Sequence, residues 1–195
     1  ILLFAPQLAG TAPFKGNQNT VLRVNGRVEG RVSDLYVSNL AVSGLGNTSV
    51  AMSGHITGLP DVNKAYFDLN IRQLRSSARD IKKFVPAGTI PANINIPSSI
   101  AVNGRFKGGI DNFNTNLNLT SSYGNAKIVA AFDQRVKGRE RYDANVNIAN
   151  FNVGRLISND SIGRVSLNAK VKGTGLDPQT ANATIVADLI RAEYN

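Results

Sequence analysis

At 195 residues the chain is long enough for one all-β domain with a shared core, and its 42% hydrophobic content includes no Cys, no Trp and a single Met. The missing cysteines exclude a disulfide framework, a thiolate metal site and a cysteine nucleophile. The net charge of +9 is spread over the polar positions of many segments, at Arg23, Arg27, Arg31, Arg105, Lys107, Arg164, Lys170 and Lys172, with no aromatic platform between them, which reads as a solvated face and not as a nucleic-acid surface.

The first residues, Ile1 to Ala5, are an apolar run too short to span a bilayer, and Pro6, Gly10, Pro13 and Gly16 follow. Residues 1–19 therefore read as a leading edge strand and loop, and the absence of an initiating Met points to an excised or processed piece. From 20 to 195 a continuous repeat-built unit is expected. Its pattern is clearest at Val24-Asn25-Gly26-Arg27-Val28-Glu29-Gly30, and it returns at Met52 to Gly58, Val102 to Gly108 and, more loosely, Leu167 to Gly173. Each closing glycine leads into a turn carrying Asp34, Asp61, Asp111 or Asp177, after which a second alternating run begins. The unit is a strand, a Gly/Asp turn and a returning strand.

Alternation puts the aliphatic side chains on one face and Arg, Lys, Asn and Thr on the other. Such a sheet must cover its apolar face with another layer, curl until that face meets itself, or leave it as a groove. Gly26 and Gly30 occupy inward positions, which suits either a sharply curved sheet or local bulges. His55, the only histidine, shares the parity of Ser53 and Thr57 and reads as an exposed strand residue without chemistry.

Within Ile71 to Val85 the spacing of Leu74, Ala78, Ile81 and Val85 predicts a short amphipathic helix over about 72–85, with Arg72, Arg75, Arg79, Lys82 and Lys83 opposite and Pro86 as its stop. Packing on the sheet is favoured over a membrane surface for this helix. Strands resume at Ile94-Asn95-Ile96, Ile100 to Gly108 and Phe113 to Thr120. Ala126 to Phe132 and Tyr142 to Ile148 read as a hairpin, and a helical turn is expected over about 152–158. The turn carboxylates recur once per repeat, where Asp commonly bonds its own turn. With phosphate loops, zinc spacings and a nucleophile elbow also missing, no enzyme activity and no cofactor or metal is expected.

The run ANFNVGRLISNDSIGRVSLNAKVKGTGLDPQTANATIVADL carries a strand, a V-G-R-L helical turn, a strand ending in K-V-K-G-x-G, an L-D-P turn and a returning strand. In that order it resembles the TamB-like members of the AsmA-type translocation and assembly module family, and Val24 to Val37 and Val102 to Leu119 look like further copies of the unit. The resemblance implies an all-β fold in which a long curved sheet folds over into a hydrophobic trough, the β-taco, with one or two short helices. It also implies a periplasmic segment of an inner-membrane-anchored protein of Gram-negative bacteria. Such proteins move phospholipids between membranes and support outer-membrane protein assembly through a barrel partner, which regions outside this segment would bind.

An aliphatic trough fits that role physically, because exposing a 16-carbon chain to water costs about 12 kcal/mol at about 0.8 kcal/mol per methylene. The residues expected to line it are Val24, Val28, Met52, Ile56, Phe67, Leu69, Ile71, Ile94, Ile96, Val102, Phe106, Leu117, Leu119, Ile128, Phe132, Val146, Ile148, Val165, Leu167, Val171, Ile185 and Leu189. Two alternatives stand beside phospholipid acyl chains as the ligand. The groove and its edges could hold nascent outer-membrane β-strands as a chaperone does, or the chain could be a closed β-sandwich or solenoid acting as a surface adhesin.

Overall fold

Alternating apolar and polar residues, interrupted by glycine and Asp-rich turns, leave the backbone one efficient way to satisfy its N–H and C=O groups, which is lateral pairing with the next strand in sequence. In the computed structural model, which describes residues 21–85, 90–177 and 179–194, that pairing builds a single ten-stranded sheet. The strands are β1 (Arg23–Arg31), β2 (Asp34–Leu45), β3 (Thr48–Thr57), β4 (Tyr66–Ser77), β5 (Ser99–Gly108), β6 (Asn112–Ser121), β7 (Gly124–Asp133), β8 (Arg141–Asn152), β9 (Ile162–Thr174) and β10 (Asn182–Tyr194). They lie side by side in chain order, and every neighbouring pair is antiparallel. Two short helices, α1 (Ala78–Phe84) after β4 and α2 (Val153–Ile157) after β8, complete the fold.

The expected all-β class and repeat unit are thus found. The copies beginning at Val24, Met52, Val102 and Leu167 are the first strands of the hairpins β1–β2, β3–β4, β5–β6 and β9–β10. The sheet does not close: among the described residues β1 and β10 are its two edges. The expected leading strand and loop over residues 1–19, and Pro86 as a helix stop, lie outside the described residues.

Close backbone approach explains the inward glycines. A Cβ on Gly54 would lie 2.1 Å from the Asp68 carbonyl oxygen of β4, and one on Gly104 would lie 2.0 Å from the Asn116 carbonyl oxygen of β6. Both residues have positive φ, +148° and +138°, so the second strand of each hairpin presses against a Cα that carries no side chain.

Bulges supply the other irregularity. An extra residue sits in β2 between Val37 and Leu40, in β4 between Ile71 and Leu74, in β8 between Ile148 and Phe151, and in β10 after Leu189. Along the sheet from β2 to β8 the bulge moves from one cross-strand row to the next, so it marks an oblique line across the strands, and bulges of this kind bend a sheet and increase its twist.

The helix expected over about 72–85 is shorter than its spacing implied. Arg72 to Ser77 continue β4, and only Ala78–Phe84 is helical. The bulge is the cause: it sets Ile71 and Leu74 three residues apart on one sheet face, a spacing that imitates a helical stripe. Ser77 caps α1, and the buried Asp80 carboxylate accepts hydrogen bonds from the Asn47 backbone N–H (2.8 Å) and the Ser77 hydroxyl (2.9 Å), pinning the helix to the β2–β3 turn. The expected helical turn over about 152–158 is α2, with Asn152 as its N-cap and Ser158 as its C-cap.

Ile94-Asn95-Ile96 is not a strand. Its backbone forms no ladder: the Ile94 N–H donates to the Pro91 carbonyl (3.0 Å), the Asn95 N–H donates to the Leu156 carbonyl of α2 (2.7 Å), and the Asn95 side-chain amide donates to the Arg155 carbonyl (3.1 Å) and Ser158 hydroxyl (2.8 Å).

Gly104→Ala should cost about 2 kcal/mol or more of unfolding free energy in urea, because the new Cβ meets a backbone carbonyl in a hydrogen-bonded ladder. Asp80→Ala should cost about 2 kcal/mol in the same measurement, by leaving the Asn47 N–H unpaired and removing a cap contact.

Candidate functional site

Cross-strand partners of an antiparallel sheet point to the same face, so the register shows which predicted residues meet. Val28, Val37, Gly54, Leu69 and Phe106 form one row across β1 to β5. A second row runs Gly26, Leu40, Met52, Ile71, Gly104, Leu117, Ile128, Val146, Ala169 and Ala187 from β1 to β10. A third runs Val24, Val42, Val50, Leu74, Val102, Leu119, Ala126, Ile148, Leu167 and Leu189. Ile56 and Phe67 are partners in a row on the far side of the first, which continues through Phe113 and Phe132. Val171 and Ile185 are partners between β9 and β10, and Val165 faces Phe151 beyond the β8 bulge.

Every predicted lining residue is therefore on one sheet face except Ile94 and Ile96, which sit in the α1–β5 connection. The register adds Val37, Leu40, Val50, Leu74, Phe113 and Tyr142 to that face. Val37, Leu40 and Leu74 were illegible because the bulges break their two-residue period, whereas Phe113 alternated visibly with the asparagines of β6.

Few of these side chains are sealed. Val37, Ile56, Phe151 and Val165 are buried, but in β6 and β7 the apolar positions remain partly exposed, and neighbours such as Asn114, Asn116, Asn118 and Lys127 are exposed. At the edges Val24 is 52% exposed and Leu189 64%. No second sheet faces these residues among the described residues. Phe67, Phe106, Phe113 and Phe132 form a chain of ring contacts across four strands, with centroids 6.4, 5.1 and 5.5 Å apart.

The opposite face is hydrophilic. Asp68 of β4 pairs with Lys107 (3.0 Å) and Arg105 (3.2 Å) of β5. The Lys107 hydrogen bond is the main reason the Asp68 carboxyl is held below its ordinary range, and the same contact raises the Lys107 ammonium. Asn118 donates to Asn103 (3.0 Å) and Asn147 to Asn168 (2.5 Å), so amides link neighbouring strands.

His55 lies on this side, half-exposed and stacked on Tyr36 at 4.1 Å, with Nε2 2.5 Å from the Asp34 carboxylate. That partner comes from the adjacent strand, where sequence spacing could not reveal it. Asp61 and Asp177 accept from the backbone N–H two residues on, as turn residues do, while Asp34 does not.

A concavity of about 750 Å³ at the β6–β10 end includes Asn112, Asn114, Arg141, Asp143, Lys172 and Thr184. Its lining also takes in Phe113, Phe132 and Tyr142 of the apolar face, so the concavity wraps the strand ends and reaches the predicted lining residue Phe132.

At that same end Arg135 binds Asp133 through its guanidinium (2.7 Å) and its backbone N–H (3.2 Å), and these contacts, the side-chain bond first, lower the Asp133 carboxyl to about 2. Because the folded value lies below the unfolded one, the contact stabilises the native state above about pH 4 and is lost as pH falls towards 2. A carboxyl-detected NMR titration should give an Asp133 midpoint near 2 that rises part of the way towards the ordinary Asp range in Arg135→Ala, which removes the guanidinium and keeps the backbone N–H. Comparison of the chain with protein-family models, curated proteins and solved structures gives no match.

Proposed function

We propose that the open apolar face receives phospholipid acyl chains and that the chain is a lipid-conducting segment of an envelope protein. The observation that carries this reading is the set of mainly aliphatic rows, interrupted by Gly54, Gly104 and Thr115, that run perpendicular to the strands across the sheet and are left partly exposed. Ten strands at about 4.8 Å spacing make such a row roughly 45 Å long.

Side chains lacking polar groups bind a hydrocarbon tail without fixing its position, which suits a ligand that slides. The oblique line of bulges and the glycine-mediated strand contacts are the features by which a sheet of this length folds over into a trough. The resemblance to TamB-like proteins supports the same reading. On this reading the segment lies in the periplasm of a Gram-negative bacterium, within an inner-membrane-anchored protein whose barrel partner binds elsewhere. No described helix is long and apolar enough to cross a membrane.

The uncovered edge of β10 favours one competing reading, in which an extended outer-membrane strand is held by edge pairing and by the same apolar rows.

Native mass spectrometry of gently purified protein separates the two. The lipid reading expects co-purified phospholipid, reduced at least about tenfold by Glu at Leu117, Ile128 or Val146, neighbours in one row, with an unchanged far-UV spectrum. Lipid-free wild-type protein, or phospholipid retained by all three variants, would reject it. Binding of an alternating-pattern peptide without phospholipid would support the strand-holding reading.

A further inference from the structure

The two edges of the sheet are built differently. β1 carries Arg23, Arg27, Glu29 and Arg31 in nine residues, together with the positive-φ glycines 26 and 30, devices that make an edge a poor template for another strand. In β10 the stretch Asn182–Leu189 pairs with β9 without a bulge and contains no proline and one charge, Asp188. It exposes apolar side chains on both faces: Ile185 by 66% and Leu189 by 64% on the apolar face, and Val186 by 58% on the hydrophilic face.

We infer that in this 195-residue chain β10, which pairs on one side only among the described residues, pairs antiparallel with β10 of a second copy, about a two-fold axis at Val186. This goes beyond the lipid reading and does not depend on what the apolar face carries. Hydrogen bonding and charge select the register. With Val186 opposite Val186 of the second copy, each Thr184 hydroxyl faces an Asp188 carboxylate, giving a donor to the only charged side chain in the segment.

On the other face the same alignment sets Ile185 against Ala187 and Ala183 against Leu189, a large side chain against a small one at each position. Moving the axis to Ala187 leaves Asp188 opposite Val186, and moving it to Asp188 sets two carboxylates against each other. Exchange between identical edges is closed, so association stops at a dimer instead of growing into a fibre. The apolar rows then continue from one copy into the next.

The absence of cysteine makes the register directly testable. Light scattering on wild-type protein at concentrations up to about 1 mM should show a doubling of mass. Val186→Lys, at an exposed edge position, should return it to monomer with an unchanged far-UV spectrum. Val186→Cys should give a disulfide-linked dimer on mild oxidation, whereas Val28→Cys, on the β1 edge, should not. A wild-type monomer throughout the range, a dimer indifferent to Val186→Lys, or preferential cross-linking of Val28→Cys would each overturn the inference.

Discussion

A sheet that satisfies its backbone entirely through sequential neighbours has no need of a second layer for hydrogen bonding, and that condition governs everything else in this protein. All ten strands find their partners in chain order, so the ladder is complete except at β1 and β10. What the ladder leaves unsatisfied is hydrophobic, a face of Val, Ile, Leu and Phe that meets neither another sheet nor its own far edge among the described residues. Burial is the dominant stabilising term in ordinary domains. Here it is replaced in part by contact within and between neighbouring rows, such as the chain of rings from Phe67 to Phe132, and by bends that bring residues such as Val37 and Phe151 under cover.

Curvature and apolar exposure are linked through small backbone features. Gly54 and Gly104 let a neighbouring carbonyl approach where any Cβ would collide, and the bulges of β2, β4 and β8 insert residues along an oblique line. Both shape the sheet without adding a polar group to the apolar face. The two helices work at one end of the strands, where Asp80 ties α1 to the β2–β3 turn and Asn95 ties the α1–β5 connection to α2. The connection thereby covers its own polar backbone, which explains why a segment as strand-like as Ile94-Asn95-Ile96 never joins the sheet.

The hydrophilic face is organised by cross-strand pairs in which each partner answers a neighbour one strand away. Asp68 with Lys107 and Arg105, Asn118 with Asn103, and His55 with Asp34 and Tyr36 all join residues that the chain separates by a hairpin or more. They are surface contacts of modest individual strength, but like charges are kept from lying opposite each other, which helps hold the strands in register. The asymmetry of the two edges follows the same logic. β1 is charged and glycine-broken, whereas β10 keeps an uninterrupted alternating stretch that fits its own copy.

Much of this architecture was written locally. Two-residue alternation determined the strands and the side to which Leu117, Ile128 and Val146 point, because the direction of a side chain on a strand depends only on parity. Recurring Gly/Asp turns determined the hairpins, since turn chemistry is local. Tertiary structure alone decided the rest. Leu74 belongs to the sheet and not to a helix because a bulge, visible only once β4 is paired, changes its parity. Ile94 and Ile96 leave the apolar face because Asn95 finds carbonyls on α2, some sixty positions along the chain. How much of the apolar face would be covered was likewise beyond local pattern, because it depends on how the sheet bends and on what lies over it, and among the described residues edge positions such as Val24 and Leu189 stay more than half exposed.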